Sequence, residues 1–348
     1  MSNVIVAPHQ RDLQDLAGIL AGWLAGRQAG ASDVEVSNLA YPRGAGQSHE
    51  TILFDVTWTV AGERRTDGLV VRIKPGAFTV YPDDLFIEQY RVMQVMRDLG
   101  HVPVADTLWL EEDPGVLGAP FFVMRKLSGR VPVSVPPYSQ AGWVYDATPD
   151  QRRRMWENGV RALAAIQRTP LDAVRFLEGP GHAREGLDQE FDKYSRVAAW
   201  VQEDRAIPVL DAALQRLRDL WPANRPAGIV WGDARIGNIM FDDKFDVVAV
   251  MDWEQPSLGG ALNDLAWWTT NSEIMHGANE SRPHLAGMGS RQETMDLWEE
   301  ITGLSAQDLE WYEDFTRLKM SCLGIRMAAL RDQPLPDEAA LAKRLKVA

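Results

Sequence analysis

The chain has 348 residues, enough for two domains at roughly 150 residues each and for a sizeable core. It is 45% hydrophobic and 24% charged, and its 49 acidic against 36 basic residues give a formal charge of −13, which argues against a general nucleic-acid binder. Its one cysteine, Cys322, excludes an internal disulfide framework and a cysteine-rich metal site. No apolar run reaches the roughly 20 residues of a membrane helix. The first residues lack the basic start and apolar core of a secretory signal, so the expectation is a soluble cytoplasmic protein without nucleic-acid or membrane partners.

Residues 12–25 place Leu13, Leu16, Leu20, Trp23 and Leu24 on one helical stripe. Then the period changes. Ile52, Phe54, Val56, Trp58 and Val60 alternate with Leu53, Asp55, Thr57 and Thr59, which predicts a strand with one buried face. Residues 61–68 are polar and end in Asp67-Gly68, a turn signal. A strand over 69–74 sets Leu69, Val71 and Ile73 on one face and Val70, Arg72 and Lys74 on the other. Helical spacing returns over 84–99 through Leu85, Val92, Met96 and Leu99. Short apolar runs at 107–110 and 121–124 complete a small sheet with an inserted helix, an α+β arrangement. From about residue 150 the pattern is mostly helical, with stripes through Met155, Trp156, Val160, Leu163 and Ile166 and through Val209, Leu210, Ala213, Leu214, Leu217 and Leu220. Short strands are expected within 228–252, helices resume near 262, and the proline-rich stretch 131–137 marks a lobe boundary.

The segment 230–265 carries the chemistry. An apolar strand at 228–231 runs into Gly232-Asp233, Asn238 follows five residues later, and Asp252 fourteen after that. Apolar runs at 239–241 and 247–251, joined by a turn at Asp243-Lys244, predict a hairpin with Asn238 and Asp252 at its open end. Phosphoryl transfer from ATP needs a carboxylate to orient the acceptor hydroxyl, and an amide oxygen with a second carboxylate to hold Mg²⁺. Any one Asp or Asn is commonly just a turn residue. Three in this order at strand ends point to a kinase catalytic loop.

On these residues the chain resembles the aminoglycoside phosphotransferase/choline kinase-like superfamily. Trp231-Gly232-Asp233, Asn238, Asp252-Trp253-Glu254 and Asp264-Leu265-Ala266 match its HGD…N…DWE…DLA pattern. The resemblance covers roughly residues 35–330. Asp252-Trp253-Glu254 and the stretch 112–124 resemble the branch of kinase-like domains fused to acyl-CoA dehydrogenases. The resemblance implies a two-lobed protein-kinase-like α+β fold, with a nucleotide-binding N-terminal lobe over 1–127, a mostly helical C-terminal lobe over 128–348, and the site in the cleft between them. It implies Asp233 as catalytic base, Asn238 and Asp252 as metal ligands, and ATP and Mg²⁺ as cofactors. Trp231 stands where the family commonly has a histidine that supports the loop. Asp264 matches a position that braces the catalytic segment.

The turn 43–48, with Gly44, Gly46 and Ser48, precedes the first long strand and offers backbone N–H groups and a hydroxyl to phosphate. The family's phosphate-binding basic position falls on Arg72, with Lys74 on the same strand face as its rival. Its acidic partner position falls on Gln89, with Glu88 adjacent. A one-residue shift turns a helical side chain by about 100°, so either Glu88 serves in a shifted register or the ion pair is weakened. Residues 122–127 resemble the interlobe hinge, which makes the backbones of Val123 and Met124 the candidates to meet adenine.

The six histidines show no paired metal spacing and read as surface or loop residues. GxSxG and GxxxxGK[ST] are absent. Trp267, Trp268, Trp298 and Trp311 are either an aromatic acceptor pocket or core, with core favoured. The acidic residues within 293–314 would suit a cationic aminoglycoside but read first as solvated helix faces. Arg152, Arg153 and Arg154 would meet an anionic substrate such as a CoA ester, or are simply exposed. The expected function is phosphorylation of a small-molecule hydroxyl on a catabolic metabolite or hydroxyacyl-CoA. An aminoglycoside or a choline-like alcohol is the alternative acceptor, and a regulatory nucleotide-binding pseudokinase is the alternative class.

Overall fold

The computed structural model describes residues 11–42, 50–76, 79–179, 185–276 and 284–348. In chain order the elements are α1 (Leu13–Ala25), β1 (Ala31–Ala40), β2 (Glu50–Val60), β3 (Glu63–Ile73), α2 (Phe86–Leu99), β4 (Thr107–Glu111), α3 (Pro114–Leu117) and β5 (Phe121–Arg125). Then come α4 (Trp143–Asp146), α5 (Pro149–Ile166), a 3₁₀ turn (Leu171–Leu177), α6 (Gly186–Trp200), α7 (Pro208–Asp219), a 3₁₀ turn (Ile236–Asn238), β6 (Ile239–Phe241) and β7 (Val247–Val250). Helices α8 (Leu262–Met275), α9 (Arg291–Thr302), α10 (Leu309–Leu330) and α11 (Glu338–Arg344) follow. Two compact units result: Met1–Thr79 with Ala105–Ser128, and Val80–Val104 with Gly129–Ala348.

The first unit is an antiparallel sheet of order β1-β2-β3-β5-β4 with α1 packed on it. Asp12 caps α1 by accepting from the Gln14 and Asp15 N–H groups at 2.8 and 3.3 Å. Leu16, Leu20 and Leu24 from the helix meet Ile52, Phe54, Val56, Leu69, Val71 and Ile73 from the sheet, as the two periodicities predict. The turn does not fall at Asp67-Gly68. Val60 pairs with Glu63, so the hairpin loop is Ala61-Gly62, with φ of 52° and 83°, and β3 runs straight through Gly68. Two left-handed residues match the strand twist, so this short loop closes the hairpin without longer polar chain. Strand β1 has no counterpart in the periodicity. Its register shifts twice, and Asp33 and Asn38 take positive φ, which breaks the alternation.

Segment 80–104, expected in the N-terminal lobe, packs with the second unit. The Thr169 hydroxyl lies 3.5 Å from the Met96 sulfur, the Arg91 guanidinium sits 3.9 Å over the Phe176 ring, and the Val250 N–H donates to the Pro103 carbonyl at 2.8 Å. An amphipathic pattern shows that a helix buries one face but not which neighbour covers it.

The rest of the second unit is mostly helical, with β6 and β7 forming a two-stranded sheet. Capping boxes start α5 (Thr148 with Gln151) and α9 (Ser290 with Glu293). The expected strand at 228–231 reduces to one bridge, Val230 with Ser257. His276, expected at the surface or in a loop, lies in the turn just past α8 and is buried there. Among the described residues no helix is long and apolar enough to cross a membrane.

Candidate active site

The predicted hairpin forms in the second unit, with Ile239 opposite Val250 and Met240 opposite Ala249. The Asp242 carboxylate closes its turn by accepting from the Lys244 and Asp246 N–H groups at 2.8 and 2.9 Å. At the open end the Met251 N–H donates to the Asn238 carbonyl at 2.9 Å, which brings Asn238 and Asp252 to the same end of the ribbon. Asp252 sits at φ 63°, in the left-handed region that Asp tolerates better than most residues. Strained backbone of this kind clusters at functional sites.

Asp233 is held from three sides. Its Oδ2 accepts from the Asn238 amide nitrogen at 2.6 Å and from Arg235 Nε at 2.9 Å. Its Oδ1 accepts from the Trp267 indole N–H at 2.9 Å. The Asn238 amide nitrogen also donates to the Asp233 carbonyl at 3.0 Å, so the group Asn238 has left to offer a cation is its amide oxygen. Burial works against the charge on Arg235. The Asp233 carboxylate, aided by Asp252 and Glu254, nonetheless holds its pKa above the ordinary value.

The loop carrying Asp233 is braced by its backbone. Asp264 Oδ2 accepts from the Trp231 N–H at 2.6 Å and Oδ1 from the Gly232 N–H at 3.0 Å. Burial pushes the Asp264 carboxyl up to about 7. Asp264 and Trp267 are three apart on α8, so one helical face holds both the loop backbone and the Asp233 side chain. Gly232 has φ 106°, and a Cβ there would lie 2.6 Å from the Gln255 carbonyl oxygen, so only glycine fits. Trp231, in place of a histidine, is fully buried, packs 5.9 Å from Trp253 with the rings tilted by 39°, and donates its indole N–H to the Met251 carbonyl at 2.8 Å.

A buried ionic group supports the segment after Asp252. Lys319 Nζ lies 2.8 Å from both Glu190 Oε1 and Asn263 Oδ1, and the Ser257 hydroxyl donates to Glu190 Oε2 at 2.6 Å. Burial works to raise the Glu190 pKa, but Lys319 and Lys193 carry it below the ordinary value.

The other predicted residues fall as follows. Gly44, Gly46 and Ser48 lie outside the described residues. Arg72 is half-buried in β3, opposite Thr51 and Phe122, and Lys74 follows the strand with its N–H on the Pro120 carbonyl at 3.0 Å. On α2 it is Gln89 that is fully buried, while Glu88 is half-buried. Val123 and Met124 are interior to β5, paired with β3 on one side and β4 on the other. Both ladders engage the backbone of this segment. The arginine triplet is engaged within the protein. Arg152 is buried on the carbonyls of Ala286, Val144 and Tyr145, Arg153 pairs with Glu293 and Arg154 with Asp246. Several acids of 293–314 are likewise paired, Glu313 with Arg291 and Asp314 with Arg216 and Arg317. Arg235 has no assignment in the sequence analysis, and Trp267 enters it as acceptor pocket or core, not as a partner of Asp233. The available signals were Arg235 two residues after Asp233 and Trp267 three after Asp264.

An α+β unit pair with an Asp–Asn–Asp constellation at a hairpin defines a kinase-like phosphotransferase class. Residues 45–304 match the phosphotransferase enzyme family, APH, and the chain belongs to that family. Among curated proteins it is 25% identical over 271 residues to the probable acyl-CoA dehydrogenase IBR3 of Arabidopsis thaliana, covering 76% of this chain and 31% of that protein. It is 24% identical over 323 residues to human acyl-CoA dehydrogenase family member 11, covering 88% of this chain and 37% of that protein. The chain thus spans less than two fifths of the length of either relative. Among solved structures, a Ralstonia eutropha protein assigned as a candidate aminoglycoside phosphotransferase superposes with TM-score 0.65 at 23% identity, covering 94% of each chain. The GDP complex of aminoglycoside 2'-phosphotransferase-IIIa gives 0.59 at 13% identity, covering 97% of this chain and 98% of that one. A thermostable mutant of APH(4)-Ia with ADP and hygromycin B gives 0.56 at 18% identity, covering 94% and 96%. These likenesses establish the protein-kinase-like α+β fold.

Proposed function

We propose that this chain transfers the γ-phosphoryl group of ATP to a hydroxyl of a small molecule, and that the acceptor is a hydroxylated catabolic metabolite or hydroxyacyl-CoA. The observation that carries the reading is the Asp233 carboxylate bonded to Asn238 at 2.6 Å, with Asp252 at the same hairpin end. Asp233 orients the acceptor and takes its proton. The new O–P bond forms as the bridging O–P bond breaks, and ADP leaves with that electron pair. Asn238 and Asp252 are oxygen donors suited to Mg²⁺, which would neutralise phosphate charge when bound. Among the described residues no group of three His, Cys, Asp or Glu could hold a metal, so such an ion would draw its other ligands from phosphate and water. Phosphate contacts are assigned to Arg72 or Lys74 and to Gly44, Gly46 and Ser48. Glu88 is the candidate ion-pair partner, and the backbone of segment 122–127, with Val123 and Met124, is assigned to adenine.

The CoA-linked acceptor is supported by likeness to acyl-CoA dehydrogenase family proteins. The engaged arginine triplet does not add to it. The aminoglycoside reading draws on neighbours solved with hygromycin B and gentamicin. An ADP-release screen with Mg²⁺-ATP tests both, with hydroxyacyl-CoA esters, aminoglycosides, choline-like alcohols and hydroxylated aromatics as acceptors and Asp233→Asn as control. A hit lost in the variant supports the kinase and names its acceptor class. Nucleotide binding without turnover on any acceptor favours the pseudokinase.

A further inference from the structure

Asp233 presents two unlike oxygens. Oδ2 is filled by Asn238 at 2.6 Å and Arg235 at 2.9 Å, while among the described residues Oδ1 carries only the Trp267 indole at 2.9 Å. A carboxylate oxygen accepts about two hydrogen bonds in its plane, so Oδ1 keeps room for an acceptor hydroxyl and Oδ2 does not. Arg235 therefore stands on the Asn238 side of the carboxylate, the side assigned to cation and phosphate. Its guanidinium is fixed at two points, Nε on Asp233 and Nη1 on the Ser134 hydroxyl at 3.0 Å. Two of its five N–H groups are used, and Nη2 makes no hydrogen bond among the described residues. Its side chain is 24% exposed, so the remaining donors can be reached.

We infer that Arg235 is a phosphoryl-binding residue: Asp233 and Ser134 hold its fork in place, and its spare N–H groups engage the oxygens of the group in transfer. This rests on the proposed kinase reading. An arginine held rigid beforehand stabilises transition-state charge without reorganising when the charge develops. The competing role is purely structural, tying the segment around Ser134 to the loop around Asp233.

The two roles separate by calorimetric binding of ADP with Mg²⁺, alone and with aluminium fluoride as a mimic of the transferring phosphoryl group. Wild type should bind the fluoroaluminate complex more tightly than ADP alone. Arg235→Gln should keep ADP affinity within about twofold but lose about tenfold or more of the added affinity. Arg235→Lys should recover part of it, and Ser134→Ala should lose a smaller part. Thermal unfolding of each variant reports folding, and the Arg235→Lys result stands if Arg235→Gln does not fold. A fluoroaluminate gain undiminished in Arg235→Gln, or in Ser134→Ala and Arg235→Lys alike, overturns the inference. Wild type that binds ADP with no gain overturns it while leaving the nucleotide reading intact. Wild type that binds no nucleotide overturns both.

Discussion

The Trp267 indole N–H donates to Asp233 Oδ1 at 2.9 Å, so the proposed base and the helix that braces its loop are joined directly. Trp267→Phe keeps an aromatic ring, though a smaller one, and removes this bond. The carboxylate should remain on Asn238 and Arg235 but lose its fixed orientation toward the acceptor. We expect kcat to fall about tenfold, because misorientation is costly in a reaction that depends on positioning. Nucleotide affinity should be nearly unchanged, while the smaller ring at this buried site should lower Tm modestly. Steady-state kinetics with the acceptor found by screening, alongside thermal unfolding, checks the split, and a change confined to Tm would make Trp267 a packing residue only.

Asp252 combines a left-handed backbone with a proposed metal role, so Ala there would strain the chain while Asn would not. Asp252→Asn is the cleaner variant. It should keep the fold and lose at least the roughly 10–100-fold in metal affinity that removing even a supporting group costs such sites. Titration of ADP with and without Mg²⁺ reads this. Equal metal dependence in wild type and variant would remove Asp252 from the ligand set.

The β6–β7 hairpin was legible because three signals coincided: apolar runs of strand length, a turn at Asp243-Lys244, and motif residues at the strand ends. Its supports were less so. Asp264 was visible as a motif position, but the N–H groups it accepts from belong to a turn that exists only once Gly232 lies against Gln255. Strand β1 escaped notice because Asp33 and Asn38 interrupt its pleat. The β2–β3 turn was misplaced because Asp67-Gly68 is the stronger local signal, yet pairing through Val60 and Glu63 decided the register. Arg152 looked like one of three exposed cations, but on α5 it faces three backbone carbonyls that no local pattern predicts.

Gly232→Ala tests the close approach beneath the loop. The added methyl would sit 2.6 Å from the Gln255 carbonyl, at a φ that disfavours any side chain. The two penalties should cost on the order of 1–3 kcal/mol. The Asp264 contacts with Trp231 and Gly232 should loosen as the loop shifts. Chemical denaturation reports the first effect. A loss of turnover larger than that of stability reports the second, and an unperturbed variant would show that the approach is relaxed in solution.

Lys319→Met leaves Glu190 buried with Ser257 as its remaining hydrogen-bonding partner in this group. Breaking a buried pair from one side costs about 3–5 kcal/mol, because the other charge stays behind. The double variant Lys319→Met/Glu190→Gln should recover much of that loss. Urea denaturation of the cycle checks this. Additive losses would show that the two side chains do not act as a pair.

The buried Asp264 makes stability depend on pH in a defined direction. Its pKa rises from 3.8 in the unfolded reference to about 7 in the fold because burial disfavours the charged form. Between those values the native state binds more protons than the unfolded one, so this group's contribution is full below pH 3.8 and is lost as pH rises through 7. Asp264→Asn cannot titrate, and its amide oxygen can accept from only one side while its NH₂ faces the other donor. That mismatch should cost about 1–3 kcal/mol at low pH. The deficit of Asp264→Asn relative to wild type should therefore shrink as pH is raised from 5 to 8. Denaturation of both proteins across that range measures it. A deficit that grew with pH would mean that Asp264 is ionised in the fold and that its two backbone N–H donors, with Lys319, outweigh burial.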